Sequence, residues 1–345
     1  MDPMIEAQLW HPVIAANQVR DTPVACTLLG QPLVLWREDA HGGHRVHAWA
    51  DQCPHRGARL SLGRVLTGLH GARLECPYHG WQFGGAGRCE HVPAAPDFTP
   101  PASHCATRYE AREQHGLVWV RLQTPDYAGL ASGPLAEPPV FAPAQDAAWR
   151  TVLCGPYQLR TSAPRLVENF LDLSHFGFVH EGWLGERGHA QVQIGVVEEG
   201  AGTDGLEVRD ARAWQPRAYA GADSGAWIAY RYEVPHPFLA VLHKDAADGD
   251  PVSNAIALCI RPDGDEACTA WFVMATRGDN ASDAELIAFQ DAVFAQDRPV
   301  VESQSPRALP IGRTTPVAEV HGPADRVSSA YRRYLKRLGI ALGTC

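Results

Sequence analysis

Two short segments of this 345-residue chain, Cys53-Pro54-His55 and Cys76-Pro77-Tyr78-His79, each pair one thiol with one imidazole, and 20 residues separate them. Each pair sits where a strand pattern gives way to a loop, so two tight loops can converge on one metal centre. Two thiolates and two imidazoles suit tetrahedral zinc, or an iron–sulfur cluster in which the cysteines hold one iron and the histidines the other. The spacing favours the cluster, because zinc fingers usually place both Cys in one half and both His in the other. The remaining seven of the nine cysteines have no partner spacing and read as small buried residues or surface thiols.

The surroundings of the two pairs are β-rich. Pro32–Trp36 and Arg45–Trp49 run apolar or alternate, and flank a hairpin turn at Asp39–His44. Cys76–Phe83 and Gly116–Leu122 continue the strand pattern, with loops at Gly84–Gly87 and Pro93–Pro101. Residues 126–149, rich in Pro, Gly and Ala, read as a linker between a domain over 8–125 and a second over 150–345. The second half is mixed. Leu166–Val179 and Asp283–Val301 have helical periodicity. Strand-like runs such as Ala226–Tyr232 and Ala270–Met274 are separated by turns such as Asp263–Asp265. Asp325–Leu338 reads as a closing helix, with Asp325 as N-cap and Gly339 as C-cap. The fold class expected is α+β: an all-β N-terminal domain, then a domain with an antiparallel sheet flanked by helices.

A second constellation lies in Glu168–His180, which sets Asn169, Asp172, His175 and His180 among large apolar residues. At about 100° per residue, His175 and His180 fall about 140° apart on a regular helix. They meet only if the helix is broken, which the sequence places around Phe176–Val179, eased by Gly177. Two imidazoles need a carboxylate to complete the facial triad of non-haem iron. Leu286, Phe289, Val293 and Val300 define the apolar stripe of the Asp283–Val301 helix. Asp297 falls on that stripe and Asp291 opposite it. An aspartate on a buried face is costly unless paired or metal-bound, so Asp297 is the candidate third ligand. Pro299 argues for a kink close by.

Composition narrows the function classes. With 30 Lys plus Arg against 39 Asp plus Glu, the net charge is −9, which argues against coating nucleic acid or an anionic membrane. No apolar run is long enough to span a bilayer, and Met1–Ala7 lacks a secretory pattern, so a cytoplasmic protein is expected. No Gly-rich nucleotide fingerprint precedes a helix, so a chain of this kind that draws electrons from NAD(P)H would need a separate reductase, directly or through a ferredoxin.

Cys53-Pro54-His55-Arg56-Gly57-Ala58 and Cys76-Pro77-Tyr78-His79-Gly80-Trp81-Gln82-Phe83 resemble the two halves of the Rieske signature. The segment between them is a few residues longer than usual, with the excess expected at the hairpin tip Thr67–Ala72, where His70 reads as a turn residue. Together with Asn169-x2-Asp172-x2-His175-x4-His180 and Asp297, they make the chain resemble the catalytic subunit of the Rieske non-haem iron oxygenases. The similarity is to the monooxygenase and demethylase branch, which includes vanillate O-demethylase, dicamba monooxygenase, caffeine N-demethylases and saxitoxin-tailoring hydroxylases.

The resemblance implies a [2Fe–2S] cluster on Cys53, His55, Cys76 and His79, and mononuclear Fe(II) on His175, His180 and Asp297. It implies O2 as co-substrate, and C–H hydroxylation of a small aromatic or N-heterocyclic compound, including N- or O-demethylation. Ring cis-dihydroxylation is the alternative, and a Rieske electron carrier the alternative of another class. The resemblance also implies a head-to-tail homotrimer, in which His79 of one subunit bonds Asp172 of its neighbour, and Asp172 bonds His175. Asn169 and Asp172 are the other polar residues assigned to the catalytic site. Trp183, Tyr230, His236, His243, Asn254 and Trp271 are the candidates for the substrate wall.

Overall fold

The computed structural model describes residues 4–40, 43–68, 71–125, 130–131, 133–201, 204–216, 224–244, 252–312 and 319–345, without the side chains of 39, 40, 43 and 44. The chain divides into two units, Ala7–Pro125 and Asp126–Cys345 with Met1–Glu6.

Ala7–Pro125 is built from ten strands: β1 His11–Ala15, β2 Val24–Leu28, β3 Gln31–Ala40, β4 Gly43–Ala50, β5 Arg64–Gly68, β6 Gly71–Glu75, β7 Gln82–Gly84, β8 Cys89–His91, β9 Arg108–Gln114 and β10 Leu117–Arg121. Six form an antiparallel sheet in the order β1-β10-β9-β4-β3-β2, and four form a second in the order β5-β6-β7-β8. The apolar run of β10 is buried throughout, as expected of an interior strand covered on both faces. The hairpin turn between β3 and β4 and the β5–β6 tip include residues 41–42, Leu69 and His70, which lie outside the described residues.

The strand pattern over Cys76–Phe83 is realised only in β7. Cys76–Trp81 is a loop, because the Gly80 N–H donates back to the Cys76 carbonyl (3.1 Å) and closes a turn there.

The second unit carries eight strands: β11 Arg150–Leu159, β12 Val192–Gln193, β13 Val196–Glu199, β14 Leu206–Gln215, β15 Ala226–His236, β16 Leu239–Lys244, β17 Ser253–Gly264 and β18 Ala267–Arg277. They form one antiparallel sheet in the order β11-β18-β17-β16-β15-β14-β12, with β13 also on β14. Its helices are α1 Ala163–Leu171, α2 Phe176–Val179, α3 Asp283–Ser303 and α4 Arg326–Leu338. Helix α1 packs on β16–β18, α3 on β11, and α4 on β13 and β14. Within 126–149, Leu135 and Phe141 are buried and a 3-10 turn spans Ala142–Gln145. No described helix is long and apolar enough to cross a membrane.

The helices depart from the sequence reading in three places. The Leu166–Val179 pattern is two helices, and the break falls at Asp172–His175, before the position expected. Asp172 leaves the helical region (φ −86°, ψ 131°) and its carboxylate accepts from the Ser174 and His175 N–H groups. An Asp that bonds the backbone ahead of it offers an alternative to the helix ladder. On α3 the buried stripe is Leu286, Gln290, Val293, Phe294, Asp297 and Val301, one residue round from the pattern read in the sequence, so Phe289 and Val300 are exposed. The helix runs through Pro299 to Ser303. Asp325 stands at the N-cap of α4 but makes no side-chain cap there. Its Oδ2 instead accepts from the Gly322 N–H (2.6 Å), while Gly339 closes the helix at φ 77°.

Candidate functional site

Two loops of the same shape hold the first constellation. The Cys53 N–H donates to the Ala58 carbonyl (2.8 Å) and the Gly57 N–H to the Cys53 carbonyl (2.9 Å). In the second loop Cys76 and Trp81, then Gly80 and Cys76, repeat this pattern at 2.8 and 3.1 Å. Gly57 and Gly80 both adopt positive φ (72° and 67°), which a side chain would strain. A Cβ on Gly80 would also lie 3.1 Å from Pro93.

Cys53 and Cys76 are buried and free of disulfides, and pack with Trp36, Trp49, Leu60, Leu74 and Phe83. The His55 and His79 rings lie 4.7 Å apart, and Trp81 stacks flat on His55 (4.4 Å, 4°). Burial first, and then the neighbouring Cys76 thiol, push the Cys53 thiol up to about 12. Such a pair ionises when a cation takes up the charge, as cluster iron does. The buried His55 Nδ1 has no partner among the described residues. Two enclosed thiols and two adjacent imidazoles in matched loops fit a [2Fe–2S] Rieske cluster.

The second constellation meets at Asp297. Its Oδ1 lies 3.5 Å from His175 Nε2 and 3.3 Å from His180 Nε2, and Asn169 Nδ2 donates to it at 3.4 Å. The two imidazoles flank the single turn of α2, which brings their centroids to 5.0 Å. One ligand atom from each of His175, His180 and Asp297 falls within 4.8 Å of the others.

The far nitrogen of each ring is held from behind. His175 Nδ1 bonds Asp172 Oδ2 (3.1 Å), and His180 Nδ1 bonds Gln296 Oε1 (2.7 Å). With the proton on Nδ1, both Nε2 lone pairs point at the same spot, the arrangement metal-ligating histidines use. Burial resists charge on Asp172, but His175 and Ser174 outweigh it and hold the carboxyl below its usual range. For His180, burial resists protonation, but Asp297 and Gln296 prevail and raise it. These three side chains fit a non-haem Fe(II) centre with open positions. Asp291, on the opposite face of α3, instead accepts a hydrogen bond from the Tyr157 hydroxyl.

A cavity of about 80 Å³ lies against this triad, walled by Leu166, Phe170, Phe176, Leu258, Phe272 and Phe294 among others. It shares Phe176, Leu184, Leu242, Ile256, Gln290 and Val293 with an outer chamber of about 380 Å³. The sheet side of the two chambers is set by register: Tyr232, Leu242, Ile256 and Met274 are cross-strand neighbours, as are Tyr230, Lys244, Asn254 and Thr276. Of the six wall candidates, Tyr230 and Asn254 line the outer chamber. His243 and Trp271 do not, because each is one residue from a wall residue (Leu242, Phe272), and alternation sends it to the other face. There His243 pairs with Glu233 (3.3 Å) and Trp271 lies under Arg261. His236 sits at the β15–β16 turn, beyond a register shift, and accepts from the Phe238 N–H (3.1 Å). Trp183 is 46% exposed and packs on Phe289. The sequence reading missed Tyr232, two residues from Tyr230 on the same strand face, and Gln290, two helical turns before Asp297.

Comparison with known proteins agrees with both centres. Residues 9–107 match the Rieske [2Fe-2S] domain, and residues 159–341 match the vanillate O-demethylase oxygenase C-terminal domain. The chain is 33% identical over 336 residues to methylxanthine N1-demethylase NdmA of Pseudomonas putida, covering 95% of this chain and 88% of the relative. It is 29% identical to methylxanthine N3-demethylase NdmB of the same organism, covering 96% and 89%. The structure of a Pseudomonas putida CBB5 NdmA mutant with caffeine superposes with a TM-score of 0.76, at 31% identity, over 96% of this chain and 90% of that one. An electron carrier would need only the first of the two domains, so that alternative falls. The chain belongs to the Rieske non-haem iron oxygenases, in the branch of reductase-fed enzymes that hydroxylate or demethylate small molecules with a [2Fe–2S] cluster and a mononuclear iron.

Proposed function

We propose that this protein is the terminal oxygenase of an N-demethylating system acting on a small, flat N-methyl heterocycle. Cys53, His55, Cys76 and His79 hold its cluster, and His175, His180 and Asp297 its iron. The observation that carries this reading is the two-chamber cavity, apolar and aromatic beside His175, His180 and Asp297, with amide and hydroxyl groups farther out. The bound metals supply the redox chemistry of O2. The apolar wall excludes water from the methyl group under attack and holds the ring plane. Gln215, Tyr230, Asn254 and Gln290 supply the polar contacts that orient it.

The balance is one methyl group, O2, two electrons and two protons giving an N-hydroxymethyl group and water. The N–C bond then breaks to release formaldehyde and the N–H product. A separate NAD(P)H-dependent reductase, directly or through a ferredoxin, delivers the electrons in the cytoplasm, where that coenzyme is available. Asp172 is the positioning residue that orients His175 and couples it to the cluster of a neighbouring subunit in a head-to-tail homotrimer.

The test is NADH consumption with a reductase in the presence of caffeine, theobromine, vanillate or dicamba, with formaldehyde measured. Formaldehyde matching NADH consumed with an N-methyl compound is expected. Stoichiometric formaldehyde from vanillate or dicamba alone would move the reading to O-demethylation.

A further inference from the structure

We infer that Tyr157, whose hydroxyl donates to Asp291, is a redox-active tyrosine that gives an electron to the oxidised iron centre when no substrate fills the inner chamber, and so spares the chamber wall. The inference goes beyond the demethylation reading and rests only on its iron site at His175, His180 and Asp297.

Tyr157 stands on β11, behind the wall of the inner chamber. Its ring packs on Phe294 (4.7 Å, 55°) and on Phe272 (5.7 Å, 68°), and those two rings meet each other at 5.3 Å. Phe272 and Phe294 line the inner chamber with His175, His180 and Asp297. Along α3, Asp291 lies one turn before Phe294, and Asp297 one turn after it. The phenol is thus joined to the triad by rings in contact, a packed path that an electron crosses without either Phe being oxidised.

What singles out Tyr157 is the destination of its proton. A phenol that loses an electron becomes a strong acid, so it is oxidised readily only beside a base. The Tyr157 hydroxyl donates to the carboxylate of Asp291, an exposed group that can exchange the proton with water. Burial first, and then Asp291, keep the phenol protonated at rest. Tyr230, Tyr232 and Trp271 lack such a base. The Tyr230 hydroxyl meets the Gln215 amide (2.6 Å). The Tyr232 hydroxyl and the Trp271 indole N–H are enclosed without a partner among the described residues. Trp271 also lies beside the Arg261 cation (5.8 Å), which opposes loss of an electron from its ring.

In the step proposed, Tyr157 loses one electron to the iron centre and its proton to Asp291, leaving a neutral tyrosyl radical. The iron centre, oxidised by O2, is reduced by one unit. A small thiol then returns the electron and Asp291 the proton, and two such thiols leave as one disulfide with two protons released to water. Without this outlet the oxidising equivalent falls on Phe272, Phe294 and Met274, and their oxidation makes an apolar wall polar.

The experiment uses full-length protein with its cluster oxidised and ferrous iron loaded, mixed with hydrogen peroxide without substrate and frozen for EPR. Wild type is expected to show a tyrosyl radical whose signal narrows when ring-deuterated tyrosine is incorporated. Tyr157→Phe and Asp291→Asn, each with wild-type iron content, are expected to lose it, while Tyr230→Phe and Tyr232→Phe keep it. Peptide mass spectrometry after repeated peroxide pulses is expected to find more oxygen added to Phe272, Phe294 and Met274 in Tyr157→Phe than in wild type. A radical that survives in Tyr157→Phe or in Asp291→Asn, no radical in iron-replete wild type, or equal oxidation of the wall in both proteins would overturn the inference and leave the iron site standing. A wild type that binds no iron at His175, His180 and Asp297 would overturn the iron site proposed above, and the inference with it.

Discussion

At Asp297 a single carboxylate oxygen faces two imidazoles and one amide, and each of these groups is held by a different neighbour. Asp172 anchors His175, Gln296 anchors His180, and Asn169 is carried by the last turn of α1. The anchors are unequal in charge. Asp172 is an anion, whereas the Gln296 amide is neutral, so His180 is oriented without adding a third carboxylate to the site. Gln296→Leu should leave the fold and the cluster spectrum intact and weaken iron binding by about 10–100-fold, read by metal titration of the apoprotein. Asp291→Asn, on the far face of the same helix, should change iron affinity little, since its partner is Tyr157. Comparable loss from both variants would show that the orientation of His180 does not depend on Gln296. The cluster of His175, His180 and Asp297 was legible in the sequence because its chemistry is local: an unusual density of His and Asp among apolar residues survives without knowledge of the fold. Gln296 was not, because an amide one residue before Asp297 carries no signal until His180 is seen folded back onto it.

Among the elements, α1 and α4 are fastened by a four-member charge network. Arg165 bonds Glu319 (2.6 Å), and Arg332 bonds both Glu168 (2.6 Å) and Glu319 (2.6 Å). This network stabilises the helix that ends in Asn169 and Asp172. Burial resists ionisation of Glu319, but Arg165 and Arg332 outweigh it and hold its carboxyl below the ordinary value of 4.5. A depressed carboxyl contributes stability that is complete above the unfolded-state value and is lost as pH falls through the folded one. Wild type should therefore lose melting temperature below about pH 4.5 more steeply than Glu319→Gln, with the two curves converging in acid. Parallel curves would remove the network from the account. A second expectation concerns the cluster loops: Gly80→Ala forces a side chain into positive φ against Pro93 and should lower cluster occupancy, read as visible absorbance per chain.

Helices and strands were largely legible from periodicity, but their faces were not. The stripe on α3 was misplaced by one residue, at Phe289 and Val300, because exposed apolar residues are common and Gln290 does not announce itself as buried. On the sheet, Leu242 and His243, or Phe272 and Trp271, differ by one position. Only the register of β15 to β18 decides which of each pair faces the chambers.

At the scale of the whole molecule, the proposed function needs two iron centres and, in the proposed trimer, electron delivery between subunits. Asp172→Asn should keep both centres and reduction of the cluster by the reductase, yet lose turnover, because an amide cannot accept from two imidazoles as a carboxylate does. Mixed oligomers of Cys76→Ser and His180→Ala chains, each inactive alone, should regain partial activity if the centres work across chains. No activity in a verified mixed oligomer would place transfer within one chain. The most direct measurement is iron per chain, read with the visible spectrum, in wild type and Asp297→Ala. The account predicts about three irons in red-brown wild type, falling to about two in the variant with its cluster spectrum unchanged and its turnover lost. A wild type that carries zinc in place of cluster iron, or an Asp297→Ala protein that keeps all three irons, would contradict it.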